Sequence, residues 1–302
     1  MTRACPAAKP DAGGEAGRDA RPGSGLTSLM TQLRYNRRVA FQRRPKLGQH
    51  FLASKSFRRR IIEALGLRAD DLVIEIGPGR GAMTALLAER VKQVVAIELD
   101  PTLVEVLKRQ FQGGNVEILA GDILTTNLAD LSRRHGEERC FVFGNLPYYI
   151  TSPIIHHLFE FAPWIRGMAL LVQREVAERL TARPGSRDYG YLSVLAQFYS
   201  EPRLAFVVPP GAFVPPPKVQ SALVDFRMRA KFPDWAPDDQ ARFLEFVKCC
   251  FAQKRKNLLN NLTAIFARAH IVQTLARHHL PPSVRAEEIG VEQLAGLWQA
   301  LV

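Results

Sequence analysis

The segment Asn145-Leu-Pro-Tyr148 combines the residue types best suited to act on a flat base. The Asn145 amide oxygen and the Leu146 carbonyl are two acceptors for the hydrogens of an exocyclic amino group. On adenine that nitrogen is a poor nucleophile, and acceptors aimed at its hydrogens favour attack on a methyl group. Pro147 stiffens the turn, and Tyr148 offers a ring for an extruded base. In isolation, the segment is equally typical of a tight turn with buried tyrosines.

A second candidate site is the glycine turn that follows the apolar run Leu72–Ile76. Gly77, Gly79 and Gly81 have the spacing G-x-G-x-G. Glycines let the backbone turn sharply and approach a ligand where a Cβ would collide. The dinucleotide pattern is G-x-G-x-x-G, so this variant suits a ligand without a pyrophosphate. Because a plain strand–helix turn also uses glycine, other residues must identify the ligand.

Two carboxylates lie at the ends of the next two predicted strands. Glu98 comes about twenty residues after the glycine turn and can accept hydrogen bonds from both hydroxyls of a ribose. Asp122 follows the third strand and can accept from an adenine amino group. Each acid alone is also typical of a helix cap or a solvated loop. Because all these features fall at strand carboxyl ends, where open α/β sheets bind ligands, they predict one shared site.

These residues must be positioned by alternating strands and helices. Strands are predicted at Leu72–Ile76, Val94–Ile97, Val116–Leu119, Phe141–Phe143 and Met168–Val172, and helices at Ala82–Arg90, Pro101–Phe111 and Pro153–Phe161. This alternation predicts an α/β fold with a mostly parallel sheet covered on both faces. A later pair, Leu204–Val208 and Ala222–Arg227, is joined by a Pro-rich loop and is predicted to be antiparallel.

The chain divides into three predicted parts. Residues 1–44, with Met30 as an alternative start, are expected to form a disordered basic tail. Residues 1–25 contain hardly any large apolar residues, and basic residues crowd from Arg34 onward. The basic run from Arg34 to Lys46 fits either a phosphate-seeking arm or a solvated tail. Residues 45–230 carry the alternating pattern. Residues 231–302 show helical periodicity without strand-like runs, which predicts a small all-α domain.

Charge and composition restrict the class of partner. The 302 residues carry a formal net charge of +12, which attracts polyanions and makes nucleic acid the leading class of partner. Charge alone fits a merely basic surface equally well, so the motifs must decide. No apolar run reaches the roughly 18–20 residues that span a bilayer, and no secretory pattern begins the chain. We therefore expect a cytoplasmic protein without a membrane partner. The four cysteines lack metal-ligand spacing, so we expect no metal.

Together these motifs resemble the ribosomal RNA adenine N6,N6-dimethyltransferase family over about residues 45–302. The motifs are Gln49-His-Phe-Leu52, Glu75-Ile-Gly-Pro-Gly79, Ile97-Glu-Leu-Asp100, Gly121-Asp122, Asn145-Leu-Pro-Tyr148, Phe213-Val-Pro-Pro-Pro-Lys-Val-Gln-Ser221 and the basic segment from Phe251 to Leu262. The resemblance implies a Rossmann-like class I methyltransferase sheet and S-adenosylmethionine as methyl donor. It also implies dimethylation of two adjacent adenosines near the 3′ end of small-subunit (16S) rRNA during ribosome biogenesis, by a monomer acting on an immature small ribosomal subunit.

The resemblance also assigns roles to individual residues. Donor contacts fall on His50, Leu52, Gly77, Glu98, Asp122 and Asn145. Catalytic roles fall on Asn145, Leu146, Pro147, Tyr148 and Phe213. Phe213 would close the second face of the extruded adenine, unless it packs beneath its Pro-rich loop. Family members usually carry Asn where His50 stands, and both side chains can form hydrogen bonds. Tyr149 is expected to be core or cavity wall.

Lys254, Arg255 and Lys256 are the predicted RNA-binding residues. They follow the apolar stretch Phe243–Phe251 on a predicted helix and can contact phosphates of a loop or an A-form stem. Three basic residues could equally form a solvated helical face. Arg174, Arg179 and Arg183 could extend the basic track.

Two other functions remain open at this point. One is methylation of large-subunit rRNA, which confers antibiotic resistance. The Pro-rich loop and the helical C-terminal part fit the small-subunit branch of the family better. The other is a non-catalytic ribosome assembly factor, for which acceptors aimed at an amino group would have no use.

Overall fold

A central seven-stranded sheet organises the computed structural model, which describes residues 49–302. Its strands are β2 (Leu72–Ile76), β3 (Gln93–Glu98), β4 (Val116–Ala120), β5 (Cys140–Asn145), β6 (Ile165–Gln173), β7 (Ser200–Val208) and β9 (Ser221–Met228). In space the order is β4-β3-β2-β5-β6-β9-β7, parallel from β4 to β6 and antiparallel beyond. The predicted α/β fold, with a mostly parallel sheet and an antiparallel C-terminal end, is confirmed.

A separate two-stranded ribbon joins the start of the described chain to the Pro-rich loop. Strand β1 (Phe51–Leu52) pairs antiparallel with β8 (Phe213–Val214), and Leu52 lies opposite Phe213. The ribbon was not predicted, because two-residue strands leave no period-2 pattern in the sequence.

The helices of the described chain cover both faces of the sheet and then form a group of their own. They are α1 (Lys55–Ala64), α2 (Ala82–Ala88), α3 (Pro101–Gln110), α4 (Leu128–Arg134), α5 (Thr151–Glu160), α6 (Arg174–Thr181), α7 (Tyr191–Tyr199), α8 (Pro237–Cys250), α9 (Leu258–Leu262), α10 (Arg268–Arg277) and α11 (Val291–Leu301). Short polar side chains begin several of them. Asp100, for example, accepts a hydrogen bond from the Thr102 amide at 2.8 Å, with Pro101 in the first turn of α3.

Side chains alternate across the sheet and build one apolar core on each face. Ile74 and Val142 point to the face covered by α4, α5, α6 and α7. Val73 and Phe143 point to the opposite face, which α1 and α2 cover. Because β2, β3, β5 and β6 are buried on both faces, their sequences are almost continuously apolar, as expected for parallel strands.

Helices α8 to α11 enclose a third apolar core that also takes in residues outside them. Helix α7 contributes Leu192 and Leu195 to the core on the sheet. The same helix contributes Val194 and Phe198 to the core of the C-terminal helices. A single helix is therefore embedded in two cores.

Several expectations fall outside the described residues or stay untested. The tail at 1–44 and the basic run from Arg34 to Lys46 lie in the undescribed part. Across residues 49–302, no helix is both long and apolar enough to cross a membrane. In that same range, no three His, Cys, Asp or Glu side chains are grouped to hold a metal ion. The domain division near residue 230 stays a prediction.

Candidate active site

One cavity opens at the carboxyl ends of β2, β3, β4 and β5. Its lining includes every residue predicted to contact a donor and the whole Asn145–Tyr148 turn. These residues are His50, Leu52, Gly77, Glu98, Asp122, Asn145, Leu146, Pro147 and Tyr148. The parallel arrangement explains the convergence, because strands running the same way end at the same sheet edge.

The glycine turn needs glycine for two different reasons. Gly77 has φ +64°, and a Cβ built there would meet no atom within 4 Å, so it would project into open space. Gly79 has φ +59°, and a Cβ there would lie 2.8 Å from a ring atom of Phe51. Both residues have the left-handed backbone that a side chain would strain. Gly77 thus leaves room for a ligand, and Gly79 leaves room for the ribbon.

Glu98 connects the glycine turn to the end of β3. Its Oε2 accepts a hydrogen bond from the Gly79 amide at 3.1 Å. Its Oε1 accepts from the amides of Leu99 at 2.9 Å and Asp100 at 3.0 Å. Burial raises the pKa of this carboxyl, and the three backbone donors act in the opposite direction. Since Oε2 receives one amide, it retains acceptor capacity for a ligand hydroxyl.

Asp122 begins a short 3-10 helix directly after β4. Its Oδ1 accepts a hydrogen bond from the Leu124 amide at 2.9 Å. The neighbouring Tyr149 lines the cavity with 47% of its surface exposed. Burial, and then the Asp122 carboxylate, raise the pKa of the Tyr149 phenol. Of the two places expected for Tyr149, the structure gives it the cavity wall.

The Asn145 side chain is held in one orientation by the segment before β1. Its Nδ2 donates a hydrogen bond to the His50 carbonyl oxygen at 3.0 Å. Because only the NH₂ group of the amide can donate to a carbonyl, this contact places Nδ2 towards His50 and the oxygen Oδ1 away from it. The Asn145 Oδ1 is thereby left as an acceptor at the cavity.

The Leu146 backbone extends the pairing of β5 with β6 by one bond. Its amide donates to the Leu171 carbonyl at 3.0 Å. Within residues 49–302, no hydrogen bond is donated to the Leu146 carbonyl oxygen. The turn therefore offers two acceptors from adjacent residues, one from a side chain and one from the backbone.

Tyr148 is held at its hydroxyl and flanked at its ring. Its hydroxyl lies 2.7 Å from the Ser221 Oγ, and its ring centroid lies 5.6 Å from that of His50. Burial raises the pKa of the phenol, against the hydrogen bond to Ser221, so the ring stays neutral at ordinary pH. A neutral half-buried ring is a suitable surface for base stacking.

Glu75 is a cavity residue to which the sequence reasoning gave no site role. It is 2% exposed, and its Oε2 has no hydrogen-bond partner in the described chain. Burial, and then the neighbouring Glu98 carboxylate, raise the pKa of Glu75 to about 7. A lone acid inside the apolar strand Leu72–Ile76 is the signal that could have identified it.

Phe213 is not at the cavity in this structure. Its side chain is 2% exposed and packs in the core between the sheet and α1, with Leu52 and Ile61. The pairing of β8 with β1 turns this ring inward, opposite Leu52. The arrangement favours packing beneath the Pro-rich loop over a wall for the extruded base.

The predicted RNA-binding cations do not lie on a helix. Helix α8 ends at Cys250, and Lys254, Arg255 and Lys256 lie in the exposed turn before α9. The Asn261 side chain ends α8 by donating to the Cys250 carbonyl at 2.7 Å. The Lys254 Nζ donates to the Arg187 carbonyl at 3.1 Å, which joins this turn to the loop before α7.

Comparisons with known proteins agree on one family. A family model described as ribosomal RNA adenine dimethylase matches residues 40–301. Ribosomal RNA small subunit methyltransferase A of Acidobacterium capsulatum is 44% identical over 265 residues, which cover 87% of this chain and 93% of that protein. The protein of the same name from Latilactobacillus sakei is 42% identical over 273 residues, covering 88% and 92%.

Solved structures share the fold. The 23S rRNA methyltransferase ErmE aligns with a TM-score of 0.65 at 30% identity, covering 83% of this chain and 99% of its own. A dimethyladenosine transferase from Plasmodium falciparum aligns with a TM-score of 0.70 at 24% identity, covering 82% and 96%. Both structures support the Rossmann-like methyltransferase sheet.

Proposed function

The chain belongs to the ribosomal RNA adenine dimethylase family, and we propose that it dimethylates N6 of adenosines in small-subunit rRNA with S-adenosylmethionine as donor. Relatives at 44% and 42% identity are named for the small subunit. The resemblance points to two adjacent adenosines near the 3′ end of that RNA.

One observation carries the proposal at the level of chemistry. The hydrogen bond from Asn145 Nδ2 to the His50 carbonyl leaves the amide oxygen as the acceptor at the cavity. The Leu146 carbonyl, which receives no hydrogen bond from residues 49–302, lies next to it in the chain. Two acceptors fixed in advance stabilise an amino nitrogen as its lone pair leaves the ring and turns towards a methyl carbon.

The cavity residues fit a nucleoside-bearing donor. Open space in front of Gly77 lets a ligand approach the backbone, and Glu98 Oε2 can accept from a ribose hydroxyl. Asp122 can accept from an adenine amino group with the oxygen that does not cap its 3-10 helix. When bound, S-adenosylmethionine supplies an electrophilic methyl carbon on a cationic sulfur. His50 and Leu52 complete the wall beside Asn145.

The turn can serve both methyl transfers. Tyr148 supports one face of the extruded adenine, and Asn145 Oδ1 and the Leu146 carbonyl accept its two N–H hydrogens. After one methyl is added and a proton lost, the nitrogen keeps one hydrogen and needs only one acceptor. Pro147 keeps the two acceptors in register, because its ring restricts the backbone between them and Tyr148.

The substrate is held elsewhere by its phosphates. We assign this role to Lys254, Arg255 and Lys256, whose side chains are all exposed in one turn. Arg187 contacts this turn through its carbonyl, and its exposed side chain is a further candidate for phosphate contact. The proposed partner is an immature small ribosomal subunit in the cytoplasm, bound by a monomer of this chain.

Large-subunit rRNA is the second candidate substrate, because the ErmE structure is similar at 30% identity. The small subunit is favoured since its named relatives are more similar in sequence over a comparable share of the chain. A purely non-catalytic assembly role is disfavoured, because the acceptor geometry at Asn145 would have no purpose in it.

Labelled methyl donor and immature small subunits test the proposal directly. The wild-type chain should label adenosines of the small-subunit RNA at N6, and large subunits should stay unlabelled. Asn145→Ala should lower the rate by at least about 100-fold, the usual effect of removing one preorganised group in electrostatic catalysis. The measurement is single-turnover transfer followed by mapping of the modified bases.

Asn260→Ala, on the exposed side of α9, is the matched control and should transfer methyl groups at the wild-type rate. Substantial turnover by Asn145→Ala would remove Asn145 from its assigned role. If only large subunits were labelled, large-subunit rRNA would be the substrate instead.

A further inference from the structure

The Pro-rich loop returns to the sheet at a residue that contacts the reacting turn. Ser221 is the first residue of β9 and is fully buried, at 0% exposure. Its Oγ lies 2.7 Å from the Tyr148 hydroxyl, across 73 residues of chain. We propose that Ser221 is a positioning residue that fixes the ring of Tyr148 for stacking against the target adenine. The proposal rests on the function proposed above.

Ser221 is itself held firmly in place. It pairs with Gln173 at the end of β6 and with Val208 at the end of β7, so β9 is bonded on both sides there. The preceding Gln220 is bonded twice to Arg174, by its carbonyl to the amide at 2.9 Å and by its Oε1 to the guanidinium at 2.9 Å. A hydroxyl anchored in this way can define the direction of whatever it binds.

Tyr148 has few other constraints on its ring. It begins a 3-10 helix after Pro147, and it is half-buried against the cavity. The His50 ring flanks it at 5.6 Å with an interplanar angle of 30°, which limits but does not fix the ring. The hydroxyl contact adds a second fixed point on the axis of the phenol. Because the hydrogen and the in-plane lone pair of a phenol oxygen lie close to the ring plane, a fixed Ser221 Oγ favours one rotation of the ring about that axis. The rotation of the ring determines how a base lies on it.

The hydrogen bond to Tyr148 also gives the buried Ser221 hydroxyl a partner. The Ser221 Oγ is enclosed by the sheet, and an unpaired buried hydroxyl costs free energy. The hydrogen bond to Tyr148 therefore benefits both partners. Its geometric effect on stacking should appear in catalysis beyond any effect on stability.

A double-mutant cycle of Ser221→Ala and Tyr148→Phe tests the proposal. Each single variant removes the same hydrogen bond, so each should lower kcat by about 3- to 10-fold, the usual value of one such bond. The double variant should be no slower than the slower single variant. Donor affinity should be unchanged in Ser221→Ala, because Ser221 does not line the cavity.

A fluorescent base supplies the readout that a purely structural role would not change. An RNA hairpin carrying 2-aminopurine at the target position should be quenched by stacking in the wild-type complex and less quenched in both single variants. Thermal melting of each variant separates this effect from loss of fold. Ser221→Thr, which keeps the hydroxyl, should restore the quenching.

Several outcomes would overturn the assignment. The assignment is wrong if Ser221→Ala has the kcat and the fluorescence quenching of the wild type. It is also wrong if the kcat losses of the two single variants multiply in the double variant, because the two side chains would then act independently. If Ser221→Ala fails to fold, Tyr148→Phe decides alone, and wild-type kcat in that variant refutes a need for the bond. Absence of transfer by the wild-type chain would instead contradict the proposed function itself.

Discussion

Glu75, in the binding cavity, lowers the free energy of unfolding at neutral pH. Its carboxyl is buried in β2, one of its oxygens has no partner in the described chain, and its pKa is raised to about 7. An unfolded chain would ionise this group near its ordinary pKa of 4.5. Between these two values the unfolded state releases a proton that the folded state keeps. The group therefore favours folding below pH 4.5, and this benefit is lost as the pH rises to 7.

Glu75→Gln removes this pH dependence. We expect the variant and the wild type to have similar unfolding free energies near pH 4.5. The variant should become more stable by up to about 3 kcal/mol at pH 8, because each pKa unit corresponds to about 1.4 kcal/mol. Urea unfolding at pH 5, 6, 7 and 8 measures the difference. Glu63→Gln, on the exposed side of α1, is the control, and a gap that does not widen with pH would contradict the explanation.

Gly77 and Gly136 differ in surroundings but share a backbone conformation, with φ +64° and +72°. Both have open space where a Cβ would be, yet only Gly77 lines the cavity. Each change to Ala should cost about 1 kcal/mol in unfolding free energy, because of the left-handed backbone. Only Gly77→Ala should weaken donor binding, by about tenfold or more, in titration calorimetry. Equal donor affinities in the two variants would place the donor elsewhere.

At the scale of elements, the sequence predicted the parts whose signal is local. The five parallel strands and their order along the chain follow from apolar runs, and Gly77, Glu98, Asp122 and Asn145 follow from where those runs end. The contacts between distant segments could not be predicted in this way. The bond from Asn145 to His50 spans 95 residues, and no periodicity encodes it.

The turn between α8 and α9 shows a local signal that was misinterpreted. Helical periodicity suggested that Lys254, Arg255 and Lys256 continue a helix, but α8 ends at Cys250. Asn257 begins α9 by accepting from the Asn260 amide at 2.9 Å, so the cations lie between a helix end and a helix start. Asn257 was the overlooked signal, because an asparagine is a common first capping residue of a helix.

Neutralising this turn tests its proposed contact with phosphates. A variant with Lys254→Gln, Arg255→Gln and Lys256→Gln should bind RNA more weakly, and log affinity should fall less steeply with log salt. The slope should drop by up to about two to three units if all three cations bind phosphates. Filter binding from low to moderate salt measures it. Lys108→Gln with Arg109→Gln on α3 is the control, and equal slopes in both variants would exclude this turn as the binding surface.

At the scale of the whole molecule, two features could be compared with the sequence: the net charge of +12, and the separation of the cores on the sheet from the core of the C-terminal helices. Composition indicated a polyanion as partner, and the helical periodicity beyond residue 231 indicated a separate group of helices. Composition could not indicate that α7 supplies Val194 and Phe198 to that group while Leu192 and Leu195 face the sheet. Such sharing arises because α7 is apolar on most of its surface, apart from the side that carries Ser193 and Gln197, and only the packing shows which neighbour takes which side.

The double embedding of α7 has a consequence for the choice of RNA. The sheet that carries the Asn145–Tyr148 turn and the helices that carry the Lys254–Lys256 turn share α7, so neither can shift past the other without opening both cores. We therefore expect the distance between the proposed RNA-binding turn and the proposed catalytic turn to be fixed when the chain folds. An RNA that binds at both turns must span this distance, so we expect the length and shape of the RNA to contribute to its selection.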